Sequence, residues 1–208
     1  MGFFEMFDNV YCVNLKHRQD RKANILSQCA KYKLGKVEFF EAINGKEHQN
    51  NYNLLPGAFG LILSNIEILK NAKEKKYNSI IILEDDCYFN DEIKNIDEYL
   101  EKLPNNWDMF YLGGNHNIGW VGTQPPYPIN DKIVRLHNTF TTHFVAIKSN
   151  MFDILLDKLS KFTAQLDVIY TEIQKNHNVY CTSQIIANQM TGYSDIENRY
   201  VDYSGMIK

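Results

Sequence analysis

The sequence predicts an α/β fold with a mostly parallel central sheet and helices on both faces. Three observations lead there. From Asn9 to Leu83 the chain alternates apolar β-rich runs with segments of helical spacing, in the order strand, helix, strand, helix, strand. The run Asn78 to Leu83 (NSIIIL) is apolar without alternation, as expected of a strand covered on both faces. The 208 residues, 44% of them hydrophobic, suffice for one complete core, which predicts one domain over residues 1–208, best supported from 9 to 196.

Each element has its own signal. Asn9 to Leu15 (NVYCVNL) is a buried strand, followed by the polar stretch Lys16 to Arg21. Ala23, Ile25, Leu26, Cys29 and Ala30 recur at roughly helical spacing and mark the first crossover helix. Lys36 to Ile43 is a second strand, closed by the turn pair Asn44-Gly45. Glu47 to Leu55 is a polar, Asn-rich loop. Pro56-Gly57 opens a helix whose apolar side is Phe59, Ile62, Leu63, Ile66 and Leu69. After Asn78 to Leu83 come a helix within Asp91 to Leu103, ending before Pro104, and a strand at Trp107 to Leu112, stopped by Gly113-Gly114.

The segment 115–130 carries Pro125, Pro126, Pro128, Trp120 and Tyr127, and reads as a binding loop or lid or as a surface excursion. Strands follow at Lys132 to Leu136 and His143 to Lys148, helices at Asn150 to Leu159 and Leu166 to Lys175, and a short strand at Val179 to Cys181. From Gln184 onward the chain is polar with scattered apolar anchors, suited to wrapping over the core or to leading into a further segment.

Bulk properties narrow the function. The formal net charge of -3 supplies no overall positive field for a nucleic-acid backbone, and long basic-aromatic stripes are missing. The N-terminus is apolar but short and acidic, unlike a secretory signal, and no stretch approaches a membrane span. Cys12, Cys29, Cys87 and Cys181 are widely spaced and show no paired zinc pattern; they read as buried small hydrophobes of a reducing, intracellular compartment such as the cytoplasm. Oligomeric state leaves no mark in the sequence.

The strongest local signal is Glu84-Asp85-Asp86, set directly after the buried strand. Adjacent carboxylates repel, and a divalent cation with a preference for oxygen ligands, magnesium or manganese, would relieve them and could bridge the phosphates of a nucleotide. Alternation along an extended segment puts Glu84 and Asp86 on one side, which makes Asp86 the first candidate ligand and Glu84 the second. A solvated strand-to-loop transition is the plainer reading. In an open α/β sheet, ligands gather beyond the carboxyl ends of the strands, so Asn14 to Arg21, Glu84 to Asp86 and Gly113 to His116 are expected around one cleft.

These pieces together resemble glycosyltransferase family 25, the lipopolysaccharide-biosynthesis and procollagen galactosyltransferase group. Val13-Asn14-Leu15 with Arg18, Asp20 and Arg21 is similar to the family's opening segment. Gly60 through Ser64 resembles its Gly-x-x-x-Ser-His piece, with Asn65 in place of the histidine. Leu83-Glu84-Asp85-Asp86 with Phe89 resembles its LEDD segment, and Asp108 with Tyr111-Leu112-Gly113 its later strand and glycine turn. Thr142 through Ile147 and Asp167 resemble later family positions, with Phe144-Val145 replacing a more usual tyrosine-containing piece. Ser194-Asp195-Ile196 looks like the end of the family domain.

The resemblance implies a nucleotide-sugar-binding fold of the type called A. It also implies a UDP-hexose donor (galactose or glucose), Mn2+ or Mg2+, and inverting transfer to a hydroxyl of a glycan, lipid-linked glycan or hydroxylysine-bearing protein. Under that reading Asp167 is the first choice of catalytic base, the alternative being a helix cap. Asn14, Leu15, Arg18, Arg21, Gly60, Ser64, Glu84, Asp85, Gly113 and Gly114 are donor-binding candidates, with the arginines directed at the diphosphate. His116 and His143 are weaker candidates for acceptor or metal contact, and Trp120 for stacking on a sugar. Two other functions remain open: a noncatalytic sugar-nucleotide or glycan-binding domain derived from a transferase, and another divalent-metal nucleotide enzyme such as a nucleotidyltransferase.

Overall fold

The computed structural model describes residues 2–116 and 124–203. Its centre is an eight-stranded sheet. In chain order the strands of that sheet are β1 (Asn9–Asn14), β2 (Glu38–Glu41), β3 (Ser79–Glu84), β5 (Met109–Tyr111), β6 (Tyr127–Pro128), β7 (Ile133–Arg135), β8 (Phe144–Lys148) and β9 (Val179–Thr182). They lie in the order β2-β1-β3-β8-β5-β9-β7-β6. The pairs β1–β2, β1–β3 and β5–β9 are parallel. Strands β8 and β7 run against their neighbours, so most of the sheet shares one direction around two reversed strands. Two small antiparallel pairs lie outside it: β4 (Cys87–Phe89) with β10 (Ala187–Gln189), and β11 (Gly192–Ser194) with β12 (Arg199–Val201).

Helices cover both faces, as the sequence predicts. On one face α2 (Pro56–Glu74), α4 (Phe152–Leu159) and α5 (Leu166–Asn176) pack Ile62, Leu69, Leu155 and Ile169 against Ile80, Ile82 and Val145. On the other, α1 (Gln19–Tyr32) and α3 (Ile96–Lys102), with a 3-10 turn at Phe3–Met6, pack Ile25, Tyr99 and Phe4 against Ile81, Leu83 and Phe144. Alternating side chains of β3 therefore enter opposite cores, which is why that strand reads as uniformly apolar. Pro56 sits in the first turn of α2, where its missing N–H costs nothing. Lys33, at φ 52°, ends α1 in the left-handed conformation.

The sequence-predicted elements are present, several of them shorter. The expected helix in 91–103 begins as a 3-10 turn, Asp91–Asn95, before α3. The polar tail departs most from its sequence signal: it contributes β10, β11 and β12 and folds back over the carboxyl ends of β1 and β3. All four cysteines are free and buried. Among the described residues no helix is long and apolar enough to cross a membrane.

Candidate active site

Two cavities open beyond the carboxyl ends of β1 and β3. The first, about 260 Å³, is lined by Val13 and Leu15 after β1, by Ala42 to Lys46 after β2, by Glu84, Asp85 and Asp86, and by Arg21. The second, about 440 Å³, is lined by Leu55, Ala58, Asn115, Phe140 to Thr142 and Gln165 to Asp167. Leu61, Glu84, Gln189, Ser194, Ile196 and Tyr203 belong to both and form the junction.

The acidic cluster is partly neutralised from within. The Arg21 guanidinium, at the start of α1, donates to Asp85 at 2.6 Å and lies 3.5 Å from Asp86. Asn14, the last residue of β1, donates through Nδ2 to the other Asp85 oxygen at 2.8 Å and to the Arg18 carbonyl at 3.1 Å. Asp85 is thus fixed by an arginine and an amide. The cation expected for the cluster is supplied, for this one carboxylate, by the protein.

The other two carboxylates differ. Glu84 accepts from Thr142 Oγ1 at 2.6 Å; burial, then the neighbouring Asp86 and Asp167, raises its carboxyl above the usual range. Burial also raises Asp86, against the pull of Arg21. Asp86 Oδ1 is buried with no hydrogen-bond partner. A buried acceptor left unmade costs on the order of 1–3 kcal/mol, so it is poised to take a ligand. No group of three or more His, Cys, Asp or Glu able to hold a metal exists among the described residues. Asp86 and Glu84 both line the first cavity, and one or two carboxylates completed by substrate phosphates are the usual means of holding a magnesium ion.

Asp167 lies in the first turn of α5 and faces the second cavity. Its oxygens accept from Val168 N–H at 2.9 Å and Thr141 N–H at 3.4 Å. Burial outweighs these bonds and raises its pKa.

Several sequence candidates stand elsewhere. Arg18 pairs with Asp20 and Asp195 and lines a neighbouring cleft with Arg21 and Tyr193, while its partner Asp195 lines the first cavity. Ser64 is fully buried; its Oγ donates to the Gly60 carbonyl and accepts the Ile43 N–H, so it braces the wall of the first cavity instead of reaching a ligand. Gly60 is needed because a Cβ there would lie 2.3 Å from the Ile43 carbonyl oxygen. Gly113 likewise admits the Ala187 main chain and Gly114 the Thr139 side chain, and neither lines the two cavities.

His116 and His143 are both buried. His143 Nε2 contacts the Ala187 carbonyl and His116 Nδ1 contacts Thr139; burial lowers both to about 4, so both are neutral. Asn65 donates to its own helix at Leu61. Trp120 lies outside the described residues, and Tyr127 is exposed.

What sequence reading missed is the tail. The β11–β12 hairpin is tied down by Arg21 to the Tyr193 carbonyl at 2.7 Å and by Arg18 to Asp195 at 2.5 Å. The β4–β10 pair sets Gln189 opposite Cys87, and Met190 N–H donates to the Asp86 carbonyl. Thr141, which lines the second cavity, holds a left-handed backbone, φ 72°, which is strained for a β-branched residue.

Comparisons with known proteins bear on this geometry. A family model described as "Glycosyltransferase family 25 (LPS biosynthesis protein)" matches residues 7–166. Procollagen galactosyltransferase 1-A of Xenopus laevis is 29% identical over 129 residues, covering 51% of this chain and 21% of that protein. Procollagen galactosyltransferase 2 of Mus musculus is 25% identical over 130 residues, with the same coverages. The chain thus spans about a fifth of the length of these relatives. A solved glycosyltransferase involved in glycosylation of the major capsid of PBCV-1 aligns at 15% identity and TM-score 0.41, covering 73% of this chain and 65% of that one.

Proposed function

The chain belongs to glycosyltransferase family 25, and from that premise we propose that it transfers a hexose, galactose or glucose, from a UDP-sugar to a hydroxyl of a glycan or protein acceptor with inversion. The observation that carries the proposal is the meeting of two cavities at Glu84, one beside an arginine and an open carboxylate, the other beside Asp167. Direct displacement needs that layout: a donor and an acceptor on opposite sides of one reacting carbon.

The nucleotide occupies the first cavity, with its base and ribose against Val13, Leu15 and the strand-end residues Ala42 and Ile43. Arg21 lines the same cavity and offers its guanidinium to the diphosphate. A divalent ion held by Asp86 and Glu84 would supply Lewis-acid stabilisation of the leaving diphosphate. The acceptor enters the second cavity and Asp167 takes the proton of its attacking hydroxyl. Leu61, Ile196 and the β11–β12 hairpin cover the junction and keep water from the reacting carbon. Asn14 acts at one remove, by fixing Asp85 so that Arg21 keeps its position.

The test is release of UDP from UDP-galactose and UDP-glucose with and without manganese. Metal-stimulated release from either donor is expected. Neither binding nor hydrolysis across a nucleotide-sugar panel would instead favour a noncatalytic domain.

A further inference from the structure

Gln174, on α5, is fully buried and lines neither cavity. Its side chain makes two hydrogen bonds to one residue. Nε2 donates to the Thr139 carbonyl at 2.7 Å, and Oε1 accepts the Thr139 N–H at 2.8 Å. That is the pairing a neighbouring β-strand would give, supplied here by a side-chain amide. His116 reaches only the Thr139 hydroxyl, which leaves the main chain of Thr139 to Gln174.

The residues that follow Thr139 run past the site. Phe140 bridges to Asn115, exchanging N–H and carbonyl bonds at 2.8 and 3.1 Å. Thr142 is anchored beyond it, donating through Oγ1 to Glu84 at 2.6 Å. Between these anchors Thr141 is held at φ 72°. A β-branched residue leaves that conformation unless its surroundings over-determine it. The Thr141 N–H bond to Asp167 is long, 3.4 Å, and is a weak restraint by itself. It matters to the carboxylate, however: Val168 N–H bonds one Asp167 oxygen and Thr141 N–H the other, so the pair of donors fixes its rotation. Asp167 and Gln174 sit on one side of α5, about two turns apart. One helix therefore grips the segment at the strained residue and just ahead of it.

We propose that Gln174 is a positioning residue: by clamping the Thr139 main chain it keeps Thr141 left-handed and its N–H on Asp167, and so orients the carboxylate that takes the acceptor proton. The consequence for turnover rests on the transferase reading; the coupling between Gln174 and Thr141 rests on the geometry.

Amide hydrogen exchange followed by NMR on the full chain, beside steady-state kinetics and UDP titration, tests it. Gln174→Met keeps the bulk and removes both bonds. It should speed exchange at Thr141 by about tenfold relative to amides of β3 and β8, cut turnover by about tenfold, and leave UDP affinity unchanged. Adding Thr141→Gly to Gln174→Met should restore most of the turnover, because glycine holds that φ without strain. A loss of packing would not be repaired by a glycine. Gln28→Met is the matched control. Gln28, on α1, clamps the Cys87 carbonyl and the Phe89 N–H in the same way, at 3.0 and 2.6 Å, and its loss should not alter relative exchange at Thr141. If Gln174→Met does not fold, Gln174→Asn, whose amide falls one carbon short, carries both arms with the same expected directions. Unchanged relative exchange at Thr141, or lost turnover that Thr141→Gly does not recover, would overturn the proposal. A native chain that turns over no UDP-sugar, with exchange at Thr141 still governed by Gln174, would remove the transferase reading and leave the clamp standing.

Discussion

The guanidinium of Arg21 donates to the carboxylate of Asp85 at 2.6 Å, with both side chains withdrawn from water. This bond joins the start of α1 to the turn after β3 and gives the acidic rim its internal counter-charge. Removing one partner of a buried pair leaves the other uncompensated. Arg21→Met is therefore expected to lower the unfolding free energy by about 3 kcal/mol, measured by urea denaturation. The double variant Arg21→Met/Asp85→Asn should recover much of that loss, and failure to recover any would show that Arg21 acts by packing alone.

Asp167 faces the second cavity with its pKa raised by burial. Asp167→Asn should cut turnover about 100-fold or more, the usual contribution of a general base, while UDP affinity stays as it was. Steady-state kinetics beside calorimetric UDP titration separates the two. Near-normal turnover would return Asp167 to the role of helix cap.

His116 is buried against Thr139 and lowered to about 4 from an unperturbed 6.5. The unfolded chain binds a proton there first, so the stabilising contribution of the neutral ring is present above pH 6.5 and is lost as pH falls toward 4. Between pH 6.5 and pH 5 this one group should cost about 1.5 kcal/mol. His116→Gln should flatten the fall by that amount. Parallel stability curves for the two proteins would show that His116 is protonated in the fold at an ordinary pH.

Arg18 and Asp195 hold the β11–β12 hairpin over the cavities. Asp195→Ala should speed hydrogen exchange in residues 192–201 while changing global stability by less than about 1 kcal/mol, since the pair is only partly buried. UDP should slow that exchange again. Unchanged exchange would mean that the hairpin is held by its own pairing.

Much of this layout was legible in the sequence. NSIIIL announced a strand covered on both faces, and Pro56-Gly57 announced α2. The carboxylate run marked the rim, because three adjacent acids cannot continue a buried strand and must fall where it leaves the sheet. The tail was not legible: β10, β11 and β12 are three residues each, too short for alternation to show, and Gln189 gains its place from a partner about a hundred positions earlier. Strand direction also left no trace, so β8 reads from sequence like a parallel strand although it is reversed. Ser64 misled because a helical serine bonded to its own backbone looks identical in sequence to one that reaches a ligand. The reach of Arg21 into the acidic cluster depends on where α1 begins in space, which spacing does not encode.

The most direct test is a crystal grown with UDP and manganese and measured at the manganese absorption edge. One anomalous peak touching Asp86 and the UDP phosphates, with the uridine against Val13 and Leu15, is the expected result. Density for Asp86 held by Arg21 alone, with the nucleotide absent or bound away from the first cavity, would contradict the account.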